Sequence, residues 1–99
     1  MNCYTIEFGH PRCVLPLYFV IANNEAEAIE DAGKIEKNPD KFLKKTQTLT
    51  PEKFLKDLTW GCEVRGDAAG SVAIREKVVA ALAGNTVACI DSQYVGCGM

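Results

Sequence analysis

The side chains able to do chemistry in this chain are few and scattered. Its single histidine stands in His10-Pro11-Arg12-Cys13, which puts an imidazole, a guanidinium and a thiol in one short stretch. A thiol becomes a nucleophile where a base or cation favours its thiolate, so a Cys/His pair is the seed from which a small enzyme could be built. Such pairs are assembled by a fold rather than by adjacency, and Pro11 only fixes a turn. The stretch therefore reads as a surface loop in which His10 and Arg12 can contact a partner, and no residue is assigned a catalytic role.

The five cysteines, Cys3, Cys13, Cys62, Cys89 and Cys97, are odd in number and widely spaced, with no C-x-x-C pair. A zinc or redox centre normally announces itself by that spacing. A site would need Cys62, Cys89 and a third ligand to converge. Buried thiols acting as small hydrophobes are the commoner outcome, so neither a metal nor a cofactor is expected. Gly66-Asp67-Ala68-Ala69-Gly70 precedes a helical pattern, and an anion could sit at such a helix start. Its glycine spacing fits neither common phosphate-binding fingerprint.

The lysines carry more. Lys34, Lys37, Lys41, Lys44, Lys45, Lys53 and Lys56 are seven of the eleven basic residues, and only Glu36, Asp40 and Glu52 stand among them. A surface of that kind can meet phosphates or an acidic protein. Lysine is also the ordinary residue of a solvated face. The segment has no arginine, the preferred bidentate reader of phosphate and guanine. Its aromatics, Phe42 and Phe54, read as core anchors rather than stacking platforms. A net charge of −2 also argues against a generally basic nucleic-acid binder.

These residues must be positioned by one domain, since 99 residues suffice for one core and not for two. Tyr4, Ile6 and Phe8 alternate with Thr5 and Glu7, a first strand with one wet face. Gly9 to Arg12 forms a turn, and Leu17 to Ala22 a second strand, antiparallel to the first. At Asn23-Asn24 the character changes. Ala28, Ile29, Ala32 and Ile35 recur at helical spacing, with Asn24 as cap and Glu27 completing a capping box. The helix must fold back over the sheet to bury that face.

A short echo follows. Asn38-Pro39-Asp40-Lys41-Phe42-Leu43-Lys44 is matched by Thr50-Pro51-Glu52-Lys53-Phe54-Leu55-Lys56. Each half reads as a cap, a proline at the first helical position, an acid, a lysine and an apolar pair, so two helix starts are expected. The second is the stronger, because Leu49 and Phe54 are placed for a hydrophobic staple. Thr46-Gln47-Thr48 between them fits either a loop or a short edge strand. Gly61 should close the second helix, and Trp60, Cys62 and Val64 alternate with Glu63 and Arg65 as in a third strand. A final helix, Val72 to Ala83, carries no polar residue from Val78 on and should be the most buried. It stops at Gly84, and Thr86 to Ile90 forms a fourth strand that, lacking polar alternation, is either central or covered on both faces.

The expectation is a single α+β domain over residues 1–99, ordered β-β-α-α-α-β-α-β. A three- or four-stranded, mainly antiparallel sheet would carry helices packed on one face, and residues 92–99 would form a loose tail. The N-terminus lacks the basic and apolar regions of a signal peptide, and no apolar run approaches a membrane span. The expected setting is a reducing cytoplasm with free thiols and no membrane contact.

By elimination, the function expected is that of a small protein-binding inhibitor that blocks a surface of a larger protein or ribonucleoprotein complex. Compact acidic α+β chains without catalytic signatures are common among accessory proteins of phages and mobile elements, including anti-CRISPR-like inhibitors and toxin-neutralising proteins. The expected contact residues are His10, Arg12, Lys41, Lys44, Lys45, Lys53 and Lys56. The alternatives are a nucleic-acid-associated accessory protein using the lysine-rich segment 34–56, and, behind that, a small enzyme with a Cys/His site.

Overall fold

The computed structural model describes residues 1–9 and 15–95. In chain order it contains β1 (Asn2–Gly9), β2 (Leu15–Ala22), α1 (Glu25–Ile35), β3 (Phe42–Leu49), α2 (Pro51–Arg65), α3 (Ala68–Ala83) and β4 (Ala88–Val95). The strands form one antiparallel sheet in the order β3-β1-β2-β4. The α+β class and the four-stranded antiparallel sheet are those the sequence indicates.

The helices, however, cover both faces of the sheet rather than one. Opposed residues share a face, so Cys3 and Ile21 point one way while Tyr4 and Val20 point the other. On the first side Cys3, Phe19, Ile21 and Ile90 pack with Phe54 and Leu58 of α2 and Val78 and Ala81 of α3. On the second, Tyr4, Ile6, Phe8, Tyr18 and Val20 pack with Ala28 and Ala32 of α1. The cause lies in β1 and β2 themselves. Tyr4, Ile6, Phe8, Cys3, Phe19 and Ile21 are large or apolar on both sides, and an uncovered face would leave half of them in water. Edge-to-face pairs tie each side together, Phe19 with Phe54 at 5.7 Å and Phe8 with Tyr18 at 6.0 Å.

The strand-to-helix switch at the asparagines is as the sequence indicates. The Glu27 N–H donates to Asn24 Oδ1 at 2.9 Å, and Glu27 Oε1 reaches back to accept from the Asn23 N–H at 3.1 Å. Ala28 and Ala32 are fully buried and, being small, let α1 lie close to the sheet. Ile29 is half-buried, whereas Ile35 at the last position is exposed. The Tyr18 hydroxyl donates to Glu36 Oε2 at 3.0 Å, fixing the end of α1 to the sheet.

Four local assignments differ from the sequence reading. The first half of the echo starts no helix: 38–41 turns and β3 follows. Residues 60–65 are helix, not strand. Phe54, Leu58 and Cys62 recur every four residues and are all buried, so one helical stripe runs straight through Gly61. The helix ends instead at Gly66, left-handed at φ 71°, with the Gly66 N–H donating to the Glu63 carbonyl and the Asp67 N–H to the Cys62 carbonyl. The third difference concerns α3, which buries only Val78 and Ala81 and leaves Val72 and Val79 exposed, because only one side of it meets the sheet and α2. Finally, β4 extends to Val95, so 92–95 belong to the sheet as partners of Leu15 to Tyr18 and not to a tail. Residues 96–99 lie outside the described residues.

Candidate partner-binding surface

The surface is built on β3, which differs from every other strand. β1 and β2 are central, and β4, though at an edge, places Ile90 in one core and packs Cys89 against the other. β3 is the opposite edge. Residues 42–45, 47 and 48 are exposed, Thr46 is half-buried, and only Leu49, at its last position, reaches a core. Among the described residues it is hydrogen-bonded on one side only, to β1. The helical layers cover the middle of the sheet and leave β3 projecting beyond both.

The approach to β3 is a turn made by local side chains. The Asn38 N–H donates to Glu36 Oε1 at 3.1 Å, and the Asp40 N–H to Asn38 Oδ1 at 2.9 Å. Asn38 thus spends its cap on a turn, which releases Lys41 and Phe42 into extended backbone. Phe42 opposes Gly9, and its ring occupies the space a side chain there would fill, since a Cβ on Gly9 would stand 2.3 Å from the ring. Even so, Phe42 is 56% exposed and its neighbour Leu43 is 46% exposed.

Between Glu7 and Phe8 the β1–β3 register shifts, so Lys44 and Lys45 together fill the step from Glu7 to Phe8. Such a bulge adds a residue to one strand and increases its twist. It crowds two ammonium groups at one point of the edge, with one carboxylate near them: Lys44 Nζ lies 4.0 Å from Glu7 Oε2. Lys41 and Lys45 have no carboxylate in ion-pair range among the described residues. The result is a basic strand end carrying two exposed apolar side chains.

The remaining expected contacts are dispersed. Lys53 and Lys56 ride on the first turns of α2, and Lys53 is held by Asp57 at 2.9 Å. From Lys45 to Thr50, where α2 is capped, is about 17 Å along the strand, at about 3.4 Å per residue. The structure therefore splits the lysines into a β3 group, Lys41, Lys44 and Lys45, and an α2 group, Lys53 and Lys56. His10 and Arg12, with Cys13, lie outside the described residues, as does Cys97.

The other candidate chemistry resolves into ordinary structure. Cys62 lies on α2, on one side of the sheet, and Cys89 packs against the α1 core on the other, so the sheet stands between them. Among the described residues no group of three or more potential ligands is close enough to hold a metal ion. Burial first, then Asp31 and Asp91, push the Cys89 thiol up to about 11, and burial also raises that of Cys3. Both stay protonated at neutral pH, the reverse of an activated nucleophile. At the start of α3 the anion position is taken by the protein itself: the Gly70 N–H donates to Asp67 Oδ1 at 2.9 Å. Among the described residues no helix is long and apolar enough to cross a membrane.

Sequence reasoning missed the exposed apolar residues. Phe42 reads as an anchor because Phe54 in the matching position is one. The distinguishing signal is downstream: Phe54 is followed by Leu58 and Cys62 at helical spacing, and Phe42 by Lys45, Thr46 and Gln47. Trp60, Val64, Val72 and Val79 are likewise exposed, on the outer sides of α2 and α3.

Comparison of the chain with protein-family models, curated proteins and solved structures finds no match.

Proposed function

We propose that this chain is a protein-binding inhibitor which occupies an acidic surface of a larger partner, with Lys41, Lys44 and Lys45 as its principal charged contacts. The observation that carries the reading is the composition of one exposed strand end, where Lys41, Lys44 and Lys45, with only Lys44 near a carboxylate among the described residues, surround the apolar side chains of Phe42 and Leu43. Apolar anchors within a charged surround are the usual anatomy of a protein interface, the first supplying affinity and the second encounter rate and selectivity. The α2 lysines extend the same positive field without sharing its apolar anchors. A cytoplasmic setting suits the free thiols, and blocking of host-defence or toxin machinery, as by phage-encoded proteins, is the biological role that fits such a module.

The test is co-purification from the native host, with the partner identified by mass and stoichiometry. Replacing Lys41, Lys44 and Lys45 together by alanine should weaken capture by about tenfold or more while far-ultraviolet circular dichroism stays unchanged. Undiminished capture would reject the assignment of these residues. A gel shift with single- or double-stranded nucleic acid, strong at low salt and fading steeply as salt rises, would favour the nucleic-acid reading instead.

A further inference from the structure

Building on that reading, we infer that the outer edge of β3 is a docking rail on which an acidic, extended segment of the partner protein adds as a fifth strand. Alternate residues of an edge strand turn their N–H and C=O groups away from the sheet, which makes them a template for another chain. Among the described residues nothing is hydrogen-bonded to that side of β3, and of its residues only Leu49 packs against a core cluster. No proline interrupts Phe42–Leu49, so every residue keeps a backbone donor, and the bulge at Lys44-Lys45 is the break in their alternation.

Lysines and a bulge on an edge strand are devices that proteins use to discourage indiscriminate pairing. On β3 both devices sit at one place, Lys44-Lys45, while Thr46-Gln47-Thr48-Leu49 is uncharged. A guard made of charge is selective, since it repels a basic strand, desolvates against a neutral one and attracts one carrying carboxylates. It also disfavours a second copy of the chain. Antiparallel self-pairing of Phe42–Leu49 over its full length sets Lys44 opposite Gln47 and Lys45 opposite Thr46. That crowds four ammonium groups into the centre of the new ladder, where like charges oppose pairing.

The occupant fixed by these features is therefore a heterologous one. It carries acidic side chains on the face shared by Phe42 and Lys45, and β-branched or apolar side chains beside Leu43, Thr46 and Thr48 on the other face. Main-chain hydrogen bonds would supply affinity and the two lysines selectivity, the division of labour seen in strand-addition complexes generally.

The experiment uses the full chain, isotopically labelled, and a capped peptide alternating valine with glutamate. Binding is expected to shift the amide resonances of Phe42–Leu49 and slow their hydrogen exchange by about tenfold, and methylating the peptide's alternate amide nitrogens should abolish it. The double variant Lys44→Gln/Lys45→Gln, and separately Gln47→Lys, an exposed position on the face of Lys45 that should keep the fold and add positive charge, report on the lysine guard. The first should weaken binding of the peptide, and the second should strengthen it. If the N-methylated peptide binds as well as its parent, strand addition is overturned while the electrostatic surface stands. If the lysine double variant binds undiminished, or a valine–lysine peptide binds equally well, charge selection is overturned, and the reading of these lysines as partner contacts goes with it. If β3 exchange slows with protein concentration alone, the edge serves self-association and the heterologous occupant is rejected.

Discussion

Residues 38–44 and 50–56 are nearly the same phrase written twice, and they fold into opposite structures. Both offer a capping side chain, a proline, an acid, a lysine and Phe-Leu. In the second, Thr50 Oγ1 accepts from the Lys53 N–H at 3.2 Å and α2 begins. In the first, Asn38 accepts from Asp40, one residue nearer, and the chain leaves as β3. Phe54 is fully buried, whereas Phe42 is more than half exposed. The lesson is that a start signal only nominates a helix. Nucleation is costly, and what sustains a helix is an apolar face to bury. Phe54, Leu58 and Cys62 provide one. After Phe42 come two lysines and a Thr-Gln-Thr run, whose β-branched residues fit a ladder beside β1.

The comparison can be broken in several ways. Phe54→Ala should cost about 3–5 kcal/mol in chemical denaturation, and Phe42→Ala below about 1 kcal/mol. Similar losses at the two positions would mean that the two halves are not energetically distinct. Gly66→Ala should lower stability by about 1–2 kcal/mol, because the left-handed cap of α2 tolerates no Cβ cheaply. A neutral result would place the end of the second copy's helix elsewhere. Thr50→Ala should lose about 1 kcal/mol. Asn38→Ala, which removes a turn contact rather than a cap, should lose less, and helical content by circular dichroism should drop only in the former. Smallest of all, Gly61→Ala should stabilise the protein by roughly 0.5–1 kcal/mol, since it lies inside a helix with only the flexible end of Arg65 nearby. A loss there would instead suit the extended structure that the alternation of Trp60, Cys62 and Val64 suggests.

What could be read from the sequence was whatever is decided locally. The strand character of β1, the aromatic run of β2 and the asparagine switch into α1 all carry their own periodicity, and they stand, although the face of β1 expected to be wet is covered and Thr5 is buried. The misreadings arise where two periods coexist. Residues 60–65 alternate, but the same span also continues a four-residue stripe begun at Phe54, and burial follows the stripe. The covering of both sheet faces was legible in principle, since Cys3, Phe19 and Ile21 are apolar on the side opposite Tyr4, Ile6 and Phe8. The bare outer side of α3 was not, because an apolar stretch such as Val78–Ala83 looks the same whether it is enclosed or waiting for a contact. For the candidate surface, the lysines were legible as a group. Their division between a strand and a helix was not, because it follows from which half of the echo propagates.

The pairing of β4 with β2 sets the rhythm of folding. β1 finds β2 quickly, since a short connection joins them, and β3 can follow once α1 has turned the chain back. Val20, though, must wait for Cys89, across β3 and the whole α2–α3 hairpin. Until then the flank of β2 is a second sticky border, and closing so long a loop is slow. Loop-closure entropy alone thus places the β2–β4 pairing last, and until it forms the flank of β2 is an open edge of the kind that invites aggregation.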